Sequence, residues 1–215
     1  MFSITLIIII ITCLVSFAAL QNGKIMQDLL FWPAEIESRK QYYRFLTHGL
    51  LHADFAHLFF NMYSLYALGT YVESRTFPNP DIFGDNAKIF YIVLYVSAIV
   101  ISTLPDYFKN RDNSAYRALG ASGAVSAVVF AGIILDPDLS LGILFIPIPI
   151  PGYIFGILFL GISVYLAKKG GSNIGHGAHF TGAVYGLIFA IIAAKLYANY
   201  DAMSIFVNNI FNRYQ

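Results

Sequence analysis

Charged residues in this chain come in bursts, separated by long stretches without Asp, Glu, Lys or Arg. Those stretches cover 1–23, 55–72, 89–105, 118–135, 139–167 and 170–200, the last broken only by Lys195. A helix needs about 20 apolar residues to cross ~30 Å of hydrocarbon, with roughly 17 as the lower limit. Six spans fit. The pattern predicts helices over 2–20, 55–74, 88–104, about 118–135, 151–167 and 177–198. The predicted fold class is an all-α membrane protein, a six-transmembrane-helix bundle forming one domain over 1–215.

The segments between the spans refine this reading. The first loop, 21–54, mixes Phe31, Trp32, Tyr42, Tyr43 and Phe45 with Glu35, Glu37, Arg39, Lys40 and Arg44. Aromatic and charged side chains together suit the bilayer interface, so part of this loop is expected in the headgroup layer. The stretch IPIPIPG (146–152) cannot be helical, because each proline lacks a donor and disfavours the α region before it. It is expected as a rigid lead into the fifth span. The opening MFSITLIIIIITCLVSFAAL has no basic leader and too long an apolar stretch for a signal peptide, so it reads as a first transmembrane helix. No internal repeat supports a transporter built from inverted halves.

Composition agrees with the membrane reading. The chain is 58% hydrophobic and 12% charged, against about 25% charged in soluble domains. Net charge is +1 and there is no basic block, so no nucleic-acid partner is expected. The single cysteine, Cys13, excludes an intrachain disulfide. With the N-terminus in the cytosol, the inner segments hold Arg75, Lys88, Lys195 and Arg213. The outer ones then hold Lys24, Arg39, Lys40, Arg44, Lys109, Arg111, Arg117, Lys168 and Lys169. The positive-inside rule alone favours the opposite orientation.

Polar side chains kept inside apolar spans are expensive, and three clusters stand out. His57 and Asn61 in HLFFN are four residues apart and share a helical face. Ser122 lies in GASG. His176, His179 and Thr181 lie in HGAHFTGAVYG. Each cluster alone is explained by helix-to-helix hydrogen bonding or close packing. Together they supply a nucleophile, a candidate base and candidate oxyanion donors, the set needed for acyl transfer.

Helix length adds to this. From Ser122 to Leu135 the rise is about 21 Å, short of the ~30 Å core, so Ser122 lies below one face near a helix N-terminus. Free amide donors and the helix dipole favour developing negative charge there. Gly120 and Gly123 permit close backbone approach. Ala178, Gly182, Gly186, Ala190 and Ala194 recur every fourth residue, a stripe that admits a neighbouring helix at close range. A fourth span packed there could bring Ser122 to the Nε2 of His179, the next residue after Ala178.

These residues resemble the rhomboid intramembrane serine proteases. GASG (120–123) is similar to that family's GxSG nucleophile motif, and HLFFN (57–61) to its HxxxN. AHFTG (178–182) followed by Gly186 is similar to its catalytic-histidine segment with the GxxxG packing motif. YYRFLTHGLLH (42–52) is similar to its first-loop segment, with Tyr43-Arg44 where Trp-Arg is common. The resemblance covers nearly the whole chain as the minimal six-helix form with an interfacial first loop.

That resemblance implies a Ser122–His179 dyad without a third carboxylate. It implies an oxyanion hole made by His57, Asn61 and the Ser122 N–H. Gly120, Gly123, Gly182 and Gly186 would support the close packing, with Arg44 in the first loop and Glu73 holding that loop. It implies no cofactor and no metal. Substrates would be transmembrane proteins, met within the membrane lipid and cut after a small residue. The N-terminus would be cytosolic and the site would open outward, beneath a loop before the sixth span; this takes precedence over the charge count. A prokaryotic plasma membrane is expected, as the chain shows no transit peptide. One position departs from the pattern. Many bacterial relatives carry a tyrosine four residues after the nucleophile, stacked on the catalytic imidazole; here it is Ser126. His176 is a second candidate base.

Three rival readings differ in class. A zinc protease could use His48, His52 and His57, but there is no HExxH and no carboxylate to activate water. A non-proteolytic rhomboid-like protein that binds transmembrane helices typically lacks the serine or the histidine, and both are present. A channel or transporter is disfavoured by spans two to six, whose acidic side chains reduce to Glu73 at one end.

Overall fold

The first span begins where a hydroxyl can cap it. In the computed structural model, which describes residues 3–143, 146–169 and 175–213, the Ser3 hydroxyl accepts from Leu6 N–H and opens α1 (Ile4–Gln21). Thr5, Thr12 and Ser16 are buried against the bundle, whereas Ile10, Ile11 and Leu14 face outward. Polar side chains inside and apolar ones outside is the arrangement a lipid surround demands. The amino end is held from across the bundle: Glu73 accepts from Ser3 Oγ (2.6 Å), Ile4 N–H (2.6 Å) and Thr5 N–H (2.9 Å).

The first loop is folded. It contains α2 (Gly23–Leu29), α3 (Pro33–Arg39), α4 (Arg44–Thr47) and a 3-10 turn at His48–Leu50. Pro33 starts α3, where its missing N–H costs nothing. Arg44 is buried, donating from Nη1 to the carbonyls of Gln27 (2.9 Å) and Leu30 (2.8 Å) and from Nε to Gln41 (2.6 Å). It closes the end of α2. Tyr42, Tyr43 and Leu46 are exposed.

The expected second span starts as α5 (Phe55–Ser64) and continues through π turns at Leu65–Gly69 and Val72–Thr76. The third, α6 (Ala87–Asn110), runs beyond the expected end at 104 and carries Pro105 inside it. The lost amide donor does not stop the helix, and Asn110 Nδ2 donates to Asp106 O (2.9 Å) in the final turn. The fourth, α7 (Ser122–Leu135), is the centre of the bundle: every residue from Gly123 to Leu135 is buried.

A hairpin follows, in departure from an all-helical chain. β1 (Ser140–Ile143) and β2 (Ile146–Pro151) pair antiparallel, with Leu141 opposite Ile150. The Ile-Pro alternation that forbids helix favours extended backbone, which is why the expected rigid lead is a strand. α8 (Gly152–Lys169) and α9 (His176–Ala198) complete the predicted helices. An eleven-residue helix not expected from the hydropathy, α10 (Ala202–Asn212), is capped by Asp201 and tied to the turn between α7 and β1 by an Arg213–Asp138 ion pair. Among the described residues, α1, Gly84–Asn110 and Gly177–Ala198 are long and apolar enough to cross a membrane, and Ser122–Leu135 and Gly152–Tyr165 are shorter apolar helices.

Packing is closest between α7 and α9. A Cβ at Gly182 would fall on the carbonyl of Gly123, and one at Gly186 on that of Ala127. Ala190 and Ala194 continue the contact, fully buried. The small-residue stripe therefore lets the two backbones touch.

Candidate active site

The segment leading to Ser122 is held by the first loop. Phe31 and Ala118 exchange two backbone hydrogen bonds (2.9 and 3.0 Å), and Gly120 N–H donates to His48 O (3.0 Å). His48 is buried with its ring against Phe31 at 5.4 Å. Burial pushes its pKa down to about 4, so it is a neutral framework residue. Gly120 has φ +119, and a Cβ there would lie 3.1 Å from Cε1 and 3.3 Å from Nε2 of His57. Only glycine meets both conditions.

The chain then turns directly into α7. Ser122 is the first helical residue, and no side chain caps this end. Its N–H has no intrahelical acceptor and points, with the helix dipole, toward the space before the helix. One turn on, Ser126 Oγ donates to Ser122 O (2.8 Å).

His57 and Asn61 are set by the start of α5. Asp54 caps that helix by accepting from His57 N–H (2.7 Å). Ala53 N–H donates to His57 Nδ1 (3.4 Å). An accepting Nδ1 leaves Nε2 as the protonated nitrogen, aimed at Gly120 and the serine. Asn61 Nδ2 donates to His57 O (3.0 Å) with one of its two hydrogens. His52 packs edge-on to His57 (5.0 Å) and its Nδ1 meets the Ser16 hydroxyl at 2.9 Å. Burial pushes the His52 pKa down to about 3.

His179 lies in the first turn of α9, its N–H donating to Gly175 O (3.1 Å). The approach of α9 to α7 brings its imidazole to the cavity above Ser122. The ring of Phe159, from α8, lies alongside, with centroids 6.0 Å apart and planes at 28°. One cavity of about 490 Å³ is lined by Ser122, His179, His57, Asn61, Ser126 and Phe159, among others. A pocket of about 20 Å³ adjoins Ser122 on the side of His48, Ser102, Thr103 and Asp106, room for roughly one water.

The structure thus gathers Ser122, His179, His57, Asn61 and Ser126 at one cavity, with Gly120 and Gly123 beside the serine and Gly182 and Gly186 below the histidine. Two supporting residues stand elsewhere. Arg44 serves the first loop. Glu73, expected to hold that loop, is instead bound to the amino end of α1. It is sixteen residues beyond His57, about 24 Å along the helix, so it serves the other end of the bundle. His176 begins α9, but its side chain lies outside the described residues, as does the loop at 170–174. Phe159 was missed. It sits in an apolar run with no local signature. Among the described residues, no group of three or more His, Cys, Asp or Glu is arranged to hold a metal.

Comparison with known proteins adds a pedigree to this geometry. The Rhomboid domain family model matches residues 39–196. The chain is 30% identical over 192 residues to Rhomboid protease GlpG of Haemophilus influenzae, covering 87% of this chain and 89% of that protein. It is 31% identical over 148 residues to RHOMBOID-like protein 12, mitochondrial, of Arabidopsis thaliana, covering 66% of this chain and 44% of that protein.

Proposed function

The chain belongs to the rhomboid family, and from that premise we propose that it is an intramembrane serine protease using a Ser122–His179 dyad. One observation carries the reading: a serine at the uncapped start of a buried helix shares a cavity with a histidine from a second helix and two donor side chains from a third. The substrates are transmembrane proteins, cut in or near their membrane segments. The protein is integral to the membrane. We assign it six spans, a cytosolic N-terminus and a site open to the outside of a prokaryotic plasma membrane.

The chemistry follows from the positions. Ser122 Oγ attacks the substrate carbonyl carbon as His179 Nε2 takes the hydroxyl proton. The carbonyl oxygen becomes an oxyanion, met by Ser122 N–H, His57 Nε2–H and Asn61 Nδ2–H. Each such donor is worth on the order of 3–4 kcal/mol in other enzymes. The tetrahedral carbon expels the amine, which takes the proton from His179, and an acyl-serine remains. Water then attacks the ester, giving its proton to His179, which returns it to Ser122 Oγ as the acid product leaves.

The purified protein tests this directly. Ser122→Ala and His179→Ala should each abolish cleavage of a model transmembrane substrate while leaving the folded fraction unchanged. A fluorophosphonate should label the wild type and not Ser122→Ala. Cleavage persisting in Ser122→Ala would overturn the assignment, and binding of substrate without cleavage by the wild type would favour a non-proteolytic role.

A further inference from the structure

Position 126 lies one turn after the serine and faces the same cavity, yet its hydroxyl is turned back to its own helix at Ser122 O. The ring beside His179 comes from a different helix. Phe159 of α8 lies 6.0 Å from the imidazole centroid, with the planes 28° apart. We propose that Phe159 is a positioning residue for the Ser122–His179 pair, holding the plane of the imidazole from α8; this rests on the protease reading above.

The physical need is specific. A histidine base must keep Nε2 within about 2.6–3.2 Å of the hydroxyl it deprotonates. The χ2 torsion that tilts the imidazole is broad and only twofold, so the side chain does not hold that tilt unaided. A second flat ring at 4.5–7 Å favours an offset parallel arrangement and narrows the range. When the imidazole takes the proton, it becomes a cation within about 6 Å of an aromatic face, which is attractive. The same ring therefore orients the base before proton transfer and stabilises the ion formed by it.

Phe159 is itself braced. Phe155, one turn earlier on α8, lies nearly parallel to it (5.9 Å, 25°), and Phe130 of α7 leans on it (5.7 Å, 52°). Phe130 is buried, and it reaches α8 because Gly156 has no side chain; a Cβ there would stand 3.3 Å from Phe130 Cε1. A ring cluster thus runs from the serine's own helix, through α8, to the histidine on α9. By contrast Ile157, on the same helix, is 71% exposed and takes no part.

Kinetics of the full-length protein in detergent, with a fluorogenic transmembrane peptide, test the proposal. Phe159→Leu keeps apolar bulk and removes the ring face; Phe159→Tyr keeps the face. The Leu variant should lose on the order of tenfold or more in kcat, as expected for a base out of line, with KM changed by less than about threefold. Fluorophosphonate labelling per folded molecule should slow in parallel. The Tyr variant should stay within about twofold of wild type, and Ile157→Ala should match wild type. Wild-type kcat in Phe159→Leu would overturn the proposal, as would a loss confined to KM, which would make Phe159 a substrate contact. Ser122→Ala in the same assay separates the two readings. If that variant is inactive while Phe159→Leu is normal, only the positioning role fails; if it still cleaves, the protease assignment falls whatever Phe159 does.

Discussion

Mild acid should loosen the first loop, and two buried histidines set the size of the effect. His48 and His52 are buried and held neutral, with pKa values pushed down from 6.5 to about 4 and about 3. In the unfolded chain both regain an ordinary pKa. Between about pH 6.5 and 4 the unfolded state therefore binds more protons than the folded one, so stability rises with pH in that window. Their contribution is complete above the unfolded value and drains away as pH falls toward the folded values. From pH 7.5 to 5 the linkage amounts to about 2 kcal/mol for each histidine, or about 4 kcal/mol for the pair. The lowered Glu37 and Asp201 carboxylates start from 4.5 and 3.8, so their losses fall mainly below the pH 7.5-to-5 comparison.

The assay is available within the molecule. Trp32 is the chain's single tryptophan and packs in the first loop beneath the Arg117 guanidinium at 3.2 Å. Its fluorescence, followed through SDS-induced unfolding in mixed micelles, reports that loop directly. His48→Asn and His52→Asn should each remove about 2 kcal/mol of the difference between pH 7.5 and 5. His57 and His179 are present in every variant and cancel from the comparison. A wild-type stability constant to within about 0.5 kcal/mol over that range would refute the reasoning, as would variants with the wild-type slope.

Two further substitutions probe opposite ends of the bundle. Gly120→Ala would place a Cβ 3.1–3.3 Å from the His57 ring at φ +119. Displacing that proposed oxyanion donor should lower kcat by about 10²–10³-fold; cleavage within threefold of wild type would show that His57 is not held by this contact. Glu73→Ala would strip the acceptor from the Ser3 hydroxyl and the Ile4 and Thr5 amides. At about 1–3 kcal/mol for a buried group left unsatisfied, which applies in full to the Thr5 amide and less to the half-buried Ser3 and Ile4 donors, unfolding should become easier by about 2–3 kcal/mol. Because this carboxylate lies at the far end from Ser122, kcat per folded molecule should change far less. An equal loss in kcat would mean that α1 is coupled to the site.

The helices were legible because hydrocarbon imposes a length. The expected 2–20, 55–74 and 151–167 correspond to α1, to α5 with its π turns, and to α8, within a few residues. Where the reading erred, local chemistry outweighed the hydropathy pattern. Pro105 marks an end by its missing donor, but α6 continues past it to Asn110. The π turns change hydrogen bonding without changing side-chain polarity, so no apolar pattern reveals them. α10 is about one-third polar and too short to span, and its capping Asp201 is the one signal that could have found it.

At the candidate active site, the same solvent that made the helices legible hid two of its supports. A serine, two histidines and an asparagine stand out in apolar spans because lipid has nothing to offer them, so each must face protein or water. Spacing then groups them: His57 with Asn61 on one face, and His179 at the edge of the stripe that admits α7. Phe159 bears no such mark. In ILFLG, lipid-facing Ile157 and Leu158 and the ring against His179 have the same chemistry, because lipid tails are as apolar as a protein core. Nor does the pairing of Phe31 with Ala118, made by backbone atoms that every residue carries. Polarity therefore identifies which groups gather at the cavity. What aligns them, the ring from α8 and the backbone bridge from the first loop, emerges only once the helices are packed.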